Sequence, residues 1–385
     1  MIGVLLLIVL AGGLWNLERP VPAPLWAPLV ATGVRAGTAP TLPWPDSGES
    51  AVALPDQGVV VAPSDPRPQP IASVAKVMTA LLTLQAHPLA SGDAGPTITI
   101  SALDVETYDS FVAQDGSVIP VALGEQLTEY QALEALLLPS ADNVAILLAR
   151  WVAGSDGAFV AQMNSKARAL GMTQTTFTDP SGLDPGTVST PTDLLRLAQA
   201  ALRDPILKAI VGLARAELPL AGVVKNVNAA LGLDGIVGIK TGNTDQAQAV
   251  YLFEAQVGAQ TLIGAIQGLA TLSLCFAAAQ RLIDAVRNDL APRLVISAGR
   301  LLGHYRTAWG ASIPVVARSS LQLSVWPGSE IALQVRLRRL NPPQPSGRAV
   351  GTVTARWGGS SSTTSAVTAA AAPFPSLGWR LRRGP

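Results

Sequence analysis

From Ile71 onward the chain changes between two rhythms. IASVAKVMTALLTLQA is apolar apart from Lys76 and a few small polar residues, which predicts a buried helix stopped at His87-Pro88. EYQALEALL, NVAILLARWVAG and GAFVAQMNSKARALG read as further helices, and TPTDLLRLAQAAL opens on a cluster of capping residues. GIVGIK, AVYLFEAQV and TLIGAIQG are short, β-branched and parted by turn residues, which predicts antiparallel strands. A last helix, LCFAAAQRLIDAVRN, ends near Asp289. Beyond it PVVARSSLQLSVWPG, IALQVRLRRL and AVGTVTARWGG alternate apolar with polar or arginine positions between Pro/Gly turns, an all-β pattern. SSSTTSAVTAAAAPFP is a low-complexity patch that fits one final strand and its turn. Upstream, residues 20–70 carry 12 of the 30 prolines and read as an extended spacer with one strand pair, Ala51–Leu54 with Val59–Ala62.

The first 17 residues, MIGVLLLIVLAGGLWNL, contain no charged side chain. Seventeen is near the minimum for crossing a bilayer and more than a signal peptide needs, so the segment is expected to direct export, as a retained anchor or a cleaved signal. The expected organisation is therefore an anchor or signal over 1–17, a Pro-rich linker over 18–48, a main domain over 49–290 and a β-rich domain over 291–385. The near-neutral total of +1 argues against a nucleic-acid binder. That total hides a split, because 291–385 hold twelve arginines and a single acid, Glu330. Such a basic module suits an anionic surface. One cysteine excludes a disulfide framework and a multi-Cys metal site, and two histidines, His87 and His304, leave little room for a histidine-centred mechanism.

Chemistry concentrates in three places. Ser73-Val74-Ala75-Lys76 opens the first apolar helix, and a spacing of three puts both side chains on one face. A helix start favours a developing oxyanion, and a serine hydroxyl becomes a nucleophile once a base takes its proton. Taken alone the pair also fits a cap serine and a surface lysine. Ser140-Ala141-Asp142-Asn143, between two apolar helices, fits either an N-cap or a hydroxyl and an amide in a cleft. Lys240-Thr241-Gly242 ends a strand-like run, where an edge strand can lie beside an extended substrate and offer a cation to a carboxylate.

In this order and spacing the three motifs resemble those of the penicillin-recognising serine enzymes. IASVAKVMTAL, EALLLPSADNVA, MNSKARALGMTQTTFTDPSGLD and NVNAALGLDGIVGIKTGNTD are similar in particular to the low-molecular-mass penicillin-binding proteins, serine-type D-Ala-D-Ala carboxypeptidases. The resemblance implies an α/β (α+β) transpeptidase-like, β-lactamase-like domain, an antiparallel sheet flanked by helices, followed by a small all-β sandwich. It implies Ser73 as nucleophile, Lys76 as base, and Ser140 as relay toward the leaving D-alanine. Lys240, Thr241 and Gly242 would hold the terminal carboxylate, and the N–H groups of Ser73 and Asn243 would form the oxyanion hole. No metal or cofactor is implied. The implied partners are a peptidoglycan stem peptide ending in D-Ala-D-Ala, β-lactams as inhibitors, and the membrane. The middle motif departs from the family's Ser-x-Asn: Asp142 stands where Asn is usual, and either Asp142 substitutes, placing a negative charge near Lys76, or a small shift lets Asn143 serve, the choice slightly favoured here. After Lys-Thr-Gly the chain reads Asp245-Gln246-Ala247-Gln248 where the family shows Asp-x-Ala-Gly. Two other readings compete. A class A β-lactamase-like hydrolase would need a Glu-x-x-Leu-Asn loop, absent between Asn143 and Lys240. A wall-associated binding protein that has lost catalysis is opposed by the intact Ser73, Lys76, Ser140 and Lys240.

Overall fold

The computed structural model describes residues 11–63 and 66–383. They form two compact units, Thr41–Asn288 and a second made of residues before Thr41 together with those after Asn288.

The first unit is built on a five-stranded antiparallel sheet. Its order is Ile236–Thr244, Gln248–Val257, Gln260–Leu269, Glu49–Leu54 and Val59–Val61. Ile236–Thr244 is thus an edge strand, with one side paired to Gln248–Val257 and the other unpaired within the sheet. In Gln248–Val257 successive residues are buried from Ala249 to Ala255, so both faces of the sheet are covered. Pro191–Ala201 packs on Gln260–Leu269 and Glu49–Leu54. Leu272–Asp289 packs through Phe276, which meets Tyr251 edge-on at 4.9 Å.

Lys76–Ala86 is the core helix, buried over nine of its eleven residues because Glu129–Leu137, Asp142–Ala153, Asp156–Ala169 and Pro191–Ala201 all pack around it. That accounts for its apolar sequence on every face. The expected helices and strands of this unit are present, including Glu49–Leu54 paired with Val59–Val61. Ala102–Val112 was not foreseen: none of its residues is fully buried, and it rests on the core through the partly buried Val105 and Tyr108. It begins on a capping box, Ser101 with Asp104.

The second unit carries a seven-stranded antiparallel sheet and a separate ribbon, Pro292–Ile296 paired with Leu321–Ser324. The β-rich C-terminal region is as expected, and the low-complexity patch forms the strand Ser360–Thr368. The linker expectation over 18–48 is corrected. Leu25–Pro28 pairs with Leu301–Arg306 at one end of the sheet, and Gly33–Arg35 pairs with Glu330–Leu337 at the other. Pro24 precedes and Pro28 ends the first of these strands without preventing pairing, since an edge strand needs hydrogen bonds on one side alone. The first ten residues of the expected 1–17 anchor or signal lie outside the described part, and residues 11–18 are helical. Among the described residues no single helix is long and apolar enough to cross a membrane.

Candidate active site

Ser73 sits in a short 3-10 turn, Ala72–Ala75, that leads directly into Lys76–Ala86. Ala72 is held in the left-handed region at φ 45°, and its carbonyl lies so near Gly182 that a β-carbon there would stand 1.8 Å from the oxygen. Gly182 therefore cannot be replaced without moving the nucleophile turn. From the edge strand, Gly242 closes on the same turn: a β-carbon at Gly242 would lie 3.1 Å from the Ser73 nitrogen. The glycine of Lys-Thr-Gly is what lets the strand backbone lie against Ser73.

Lys76 is fully buried and Ser73 half-buried. Lys76 Nζ donates to Ser73 Oγ at 2.7 Å, to Asp142 Oδ1 at 2.6 Å and to the Ser181 carbonyl at 3.1 Å. These three acceptors fill the donors of an ammonium group. The loop that carries Ser181 is fixed by Asp179, whose Oδ2 accepts from the N–H groups of Ser181, Gly182 and Leu183. Thr79 Oγ1 also donates to the Pro180 carbonyl at 2.7 Å. The contributions of Ser181 and Asp179 were not singled out from sequence. The contact to Lys76 is a main-chain oxygen, which no residue type announces, although an Asp-Pro-Ser-Gly run marks a tight turn.

Ser140 follows Glu129–Leu137 and precedes Asp142–Ala153, with φ 69°. Its Oγ accepts from Lys240 Nζ at 2.9 Å, and Lys240 also donates to the Thr241 carbonyl at 3.0 Å. Burial pushes the Lys240 ammonium well below the usual lysine range; Lys76 adds to this and Asp142 opposes it. Thr241 is buried beside it, whereas Asn243 is exposed near the strand's end.

The expectation for Asn143 is corrected in its geometry. Its Nδ2 donates to the Ile119 carbonyl at 3.1 Å and its Oδ1 accepts from the Ile119 N–H at 3.2 Å. Both ends of the amide are thus engaged away from Lys76. The side chain facing Lys76 is Asp142, whose second oxygen accepts from the Ser117 N–H at 2.9 Å. One helical residue is a rotation of about 100°, so the two neighbours cannot share a direction. The structure joins Ser73 with Lys76 and Ser140 with Lys240, and the Gly242 strand lies beside Ser73. Asn143 braces the segment at Ile119.

A family model described as D-alanyl-D-alanine carboxypeptidase, peptidase S11, matches residues 48–270. The D-alanyl-D-alanine carboxypeptidase DacB2 of Mycobacterium tuberculosis is 32% identical over 233 residues, 58% of this chain and 76% of that protein. A D-alanyl-D-alanine endopeptidase of Pseudomonas aeruginosa is 36% identical over 185 residues, 46% of this chain and 56% of that protein. Among solved structures, an evolved penicillin-binding protein homologue from Mycobacterium tuberculosis aligns with TM-score 0.56 and 29% identity. That alignment covers 65% of this chain and 94% of the other. The matched residues contain all three motifs, and the chain belongs to the D-alanyl-D-alanine carboxypeptidase family of serine peptidases.

Proposed function

We propose that the protein removes the terminal D-alanine from peptidoglycan stem peptides through an acyl-enzyme on Ser73, and that penicillins acylate the same hydroxyl. The observation that carries this reading is the 2.7 Å contact between the Nζ of the buried Lys76 and Ser73 Oγ. As Ser73 Oγ bonds to the peptide carbonyl carbon, Lys76 acts as the neutral amine, its Nζ lone pair turned to Ser73 Oγ, and takes the Ser73 proton. The carboxylate of Asp142 at 2.6 Å then faces an ammonium, so the charge created by the transfer is offset at once. The new oxyanion is met by the N–H groups of Ser73 and Asn243. The C–N bond breaks as Ser140, in contact with Lys240, passes a proton to the departing D-alanine amine. Lys240 and Thr241 receive the substrate's terminal carboxylate, with Gly242 giving the strand room to approach. Water then hydrolyses the ester and restores Ser73. The setting is extracytoplasmic, with the N-terminal apolar segment holding the protein at the membrane or directing its export.

Two assays test the reading together. The protein is incubated with a fluorescent penicillin and, separately, with a peptide ending in D-Ala-D-Ala. A long-lived adduct with release of free D-alanine is expected. Rapid turnover of the penicillin would instead favour a β-lactamase, and no adduct would favour a binding protein without catalysis.

A further inference from the structure

A pocket of about 440 Å³ lies in the first unit between Glu129–Leu137, Pro205–Val211, the strand Arg215–Leu218 and the turn at Ser91–Ala94. It shares no lining residue with the Ser73–Lys240 cluster. Its volume falls in the range of small-ligand sites. The walls divide by chemistry. Pro205, Ile206 and Ala209 give an aliphatic side, and Asp93, Glu134 and Glu217 supply three carboxylates with no basic residue among the lining.

Asp93 and Glu217 are exposed and need no partner. Glu134 is different. It is only 9% exposed, it lines the pocket, and among the described residues no hydrogen bond or ion pair engages its carboxylate. A carboxylate taken out of water is costly unless it is paired. Burial pushes Glu134 above the usual carboxylate range, and Glu134 in turn raises the neighbouring Tyr130 hydroxyl. The protein thus keeps an unpaired acid at the wall of an open cavity, where a cation of the right shape would complete it. A divalent metal is a poor fit, because among the described residues no three ligating side chains converge closely enough to hold one. The aliphatic wall is also wasted on a bare ion.

We infer that this pocket binds an aliphatic ammonium group, its alkyl chain against Pro205, Ile206 and Ala209 and its charged nitrogen at Glu134 and Glu217. The same chemistry is offered by a free polyamine and by the side chain of a lysine on a peptide or protein.

The test is calorimetric titration of the full chain with cadaverine and with Nα-acetyl-lysine amide. Binding of either is expected, and 1-pentanol, which has the chain without the charge, should not bind. Glu134→Gln should weaken the amine about tenfold or more, the effect of losing a hydrogen bond to a charged group. Glu217→Gln, at an exposed position where folding is not at risk, should weaken it less. Neither change should alter the rate of penicillin acylation. Cadaverine binding alone assigns the site to free polyamines, and acetyl-lysine amide binding alone assigns it to a lysine side chain. The inference is overturned if neither amine binds at millimolar concentration, or if both substitutions leave the affinity unchanged. Displacement of the amine by an equal concentration of calcium would also overturn it.

Discussion

The first unit holds two serine–lysine contacts, and their surroundings differ in one respect. Lys76 reaches Ser73 at 2.7 Å with the Asp142 carboxylate at 2.6 Å on its other side. Lys240 reaches Ser140 at 2.9 Å, and its remaining contact is a main-chain carbonyl of its own strand. Both lysines are buried, so burial is not what separates them. The difference is the counter-charge. A buried ammonium held against a carboxylate is offset locally, whereas one without is driven toward its neutral form. The lysine that lacks an acid is the one proposed to meet the substrate's carboxylate. The site leaves a charge open where a ligand is to supply its complement, and closes the other charge where only protons move.

The largest test of this division is at the nucleophile. Ser73→Ala should lower penicillin acylation by about 10⁶-fold while the far-UV circular dichroism stays as in the parent. Residual covalent labelling at another residue would dissolve the distinction between the two contacts.

Glu129 extends the contrast to an acid. It is fully buried at the first turn of Glu129–Leu137, neither of its oxygens has a hydrogen-bond partner among the described residues, and burial pushes it up to about 7. Because the folded-state value lies above the unfolded one, the group costs nothing below about pH 4.5. Stability is then lost as pH rises toward 7, by about 3 kcal/mol in all. Urea unfolding across this window should show that decline in the parent and a flatter line in Glu129→Gln. Equal slopes would mean that the carboxylate finds a partner in solution.

At Lys240 the sign is opposite. The lowered value means the charge is lost at a lower pH than for an ordinary lysine, so kcat/KM for a peptide with a free carboxylate should fall early on the alkaline side. Lys240→Arg should move that fall to higher pH, and Lys240→Ala should raise KM by about 10- to 100-fold. A peptide with an amidated C-terminus should feel neither substitution. Sensitivity of the amidated peptide would show that Lys240 serves the proton path instead.

The smallest expected effect is at the counter-charge itself. Asp142→Asn should slow penicillin acylation by about tenfold, because the contact facing Lys76 loses its charge, and Asn143→Ala should leave the rate near that of the parent. If Asn143→Ala slows acylation and Asp142→Asn does not, the roles drawn from geometry are reversed.

Much of this was open to reading in the chain. Ser73 and Lys76 stand at helical spacing in an otherwise apolar run, and the first of three strand-length segments, GIVGIK, ends at Lys240, where the third motif begins. What could not be read follows physical lines. The choice between Asp142 and Asn143 turns on where the helix starts after Ser140, and a φ of 69° at one residue decides it. The support from Ser181 comes through its carbonyl, identical in every residue type. Leu25–Pro28 and Gly33–Arg35 have three or four residues each, and partners some 280 positions away create them rather than any local preference.

Those two strands also set an order in time. They end opposite edges of one sheet, yet they leave the ribosome before the whole peptidase unit, and their partners Leu301–Arg306 and Glu330–Leu337 leave after it. At roughly 5–20 residues per second the delay is about 15–60 s. Throughout that interval the first strands to be made are without their sheet, while the intervening unit has time to fold before its two flanks are joined. The β-rich unit is therefore completed last, and a chain released early would carry two orphaned strands ahead of a finished peptidase.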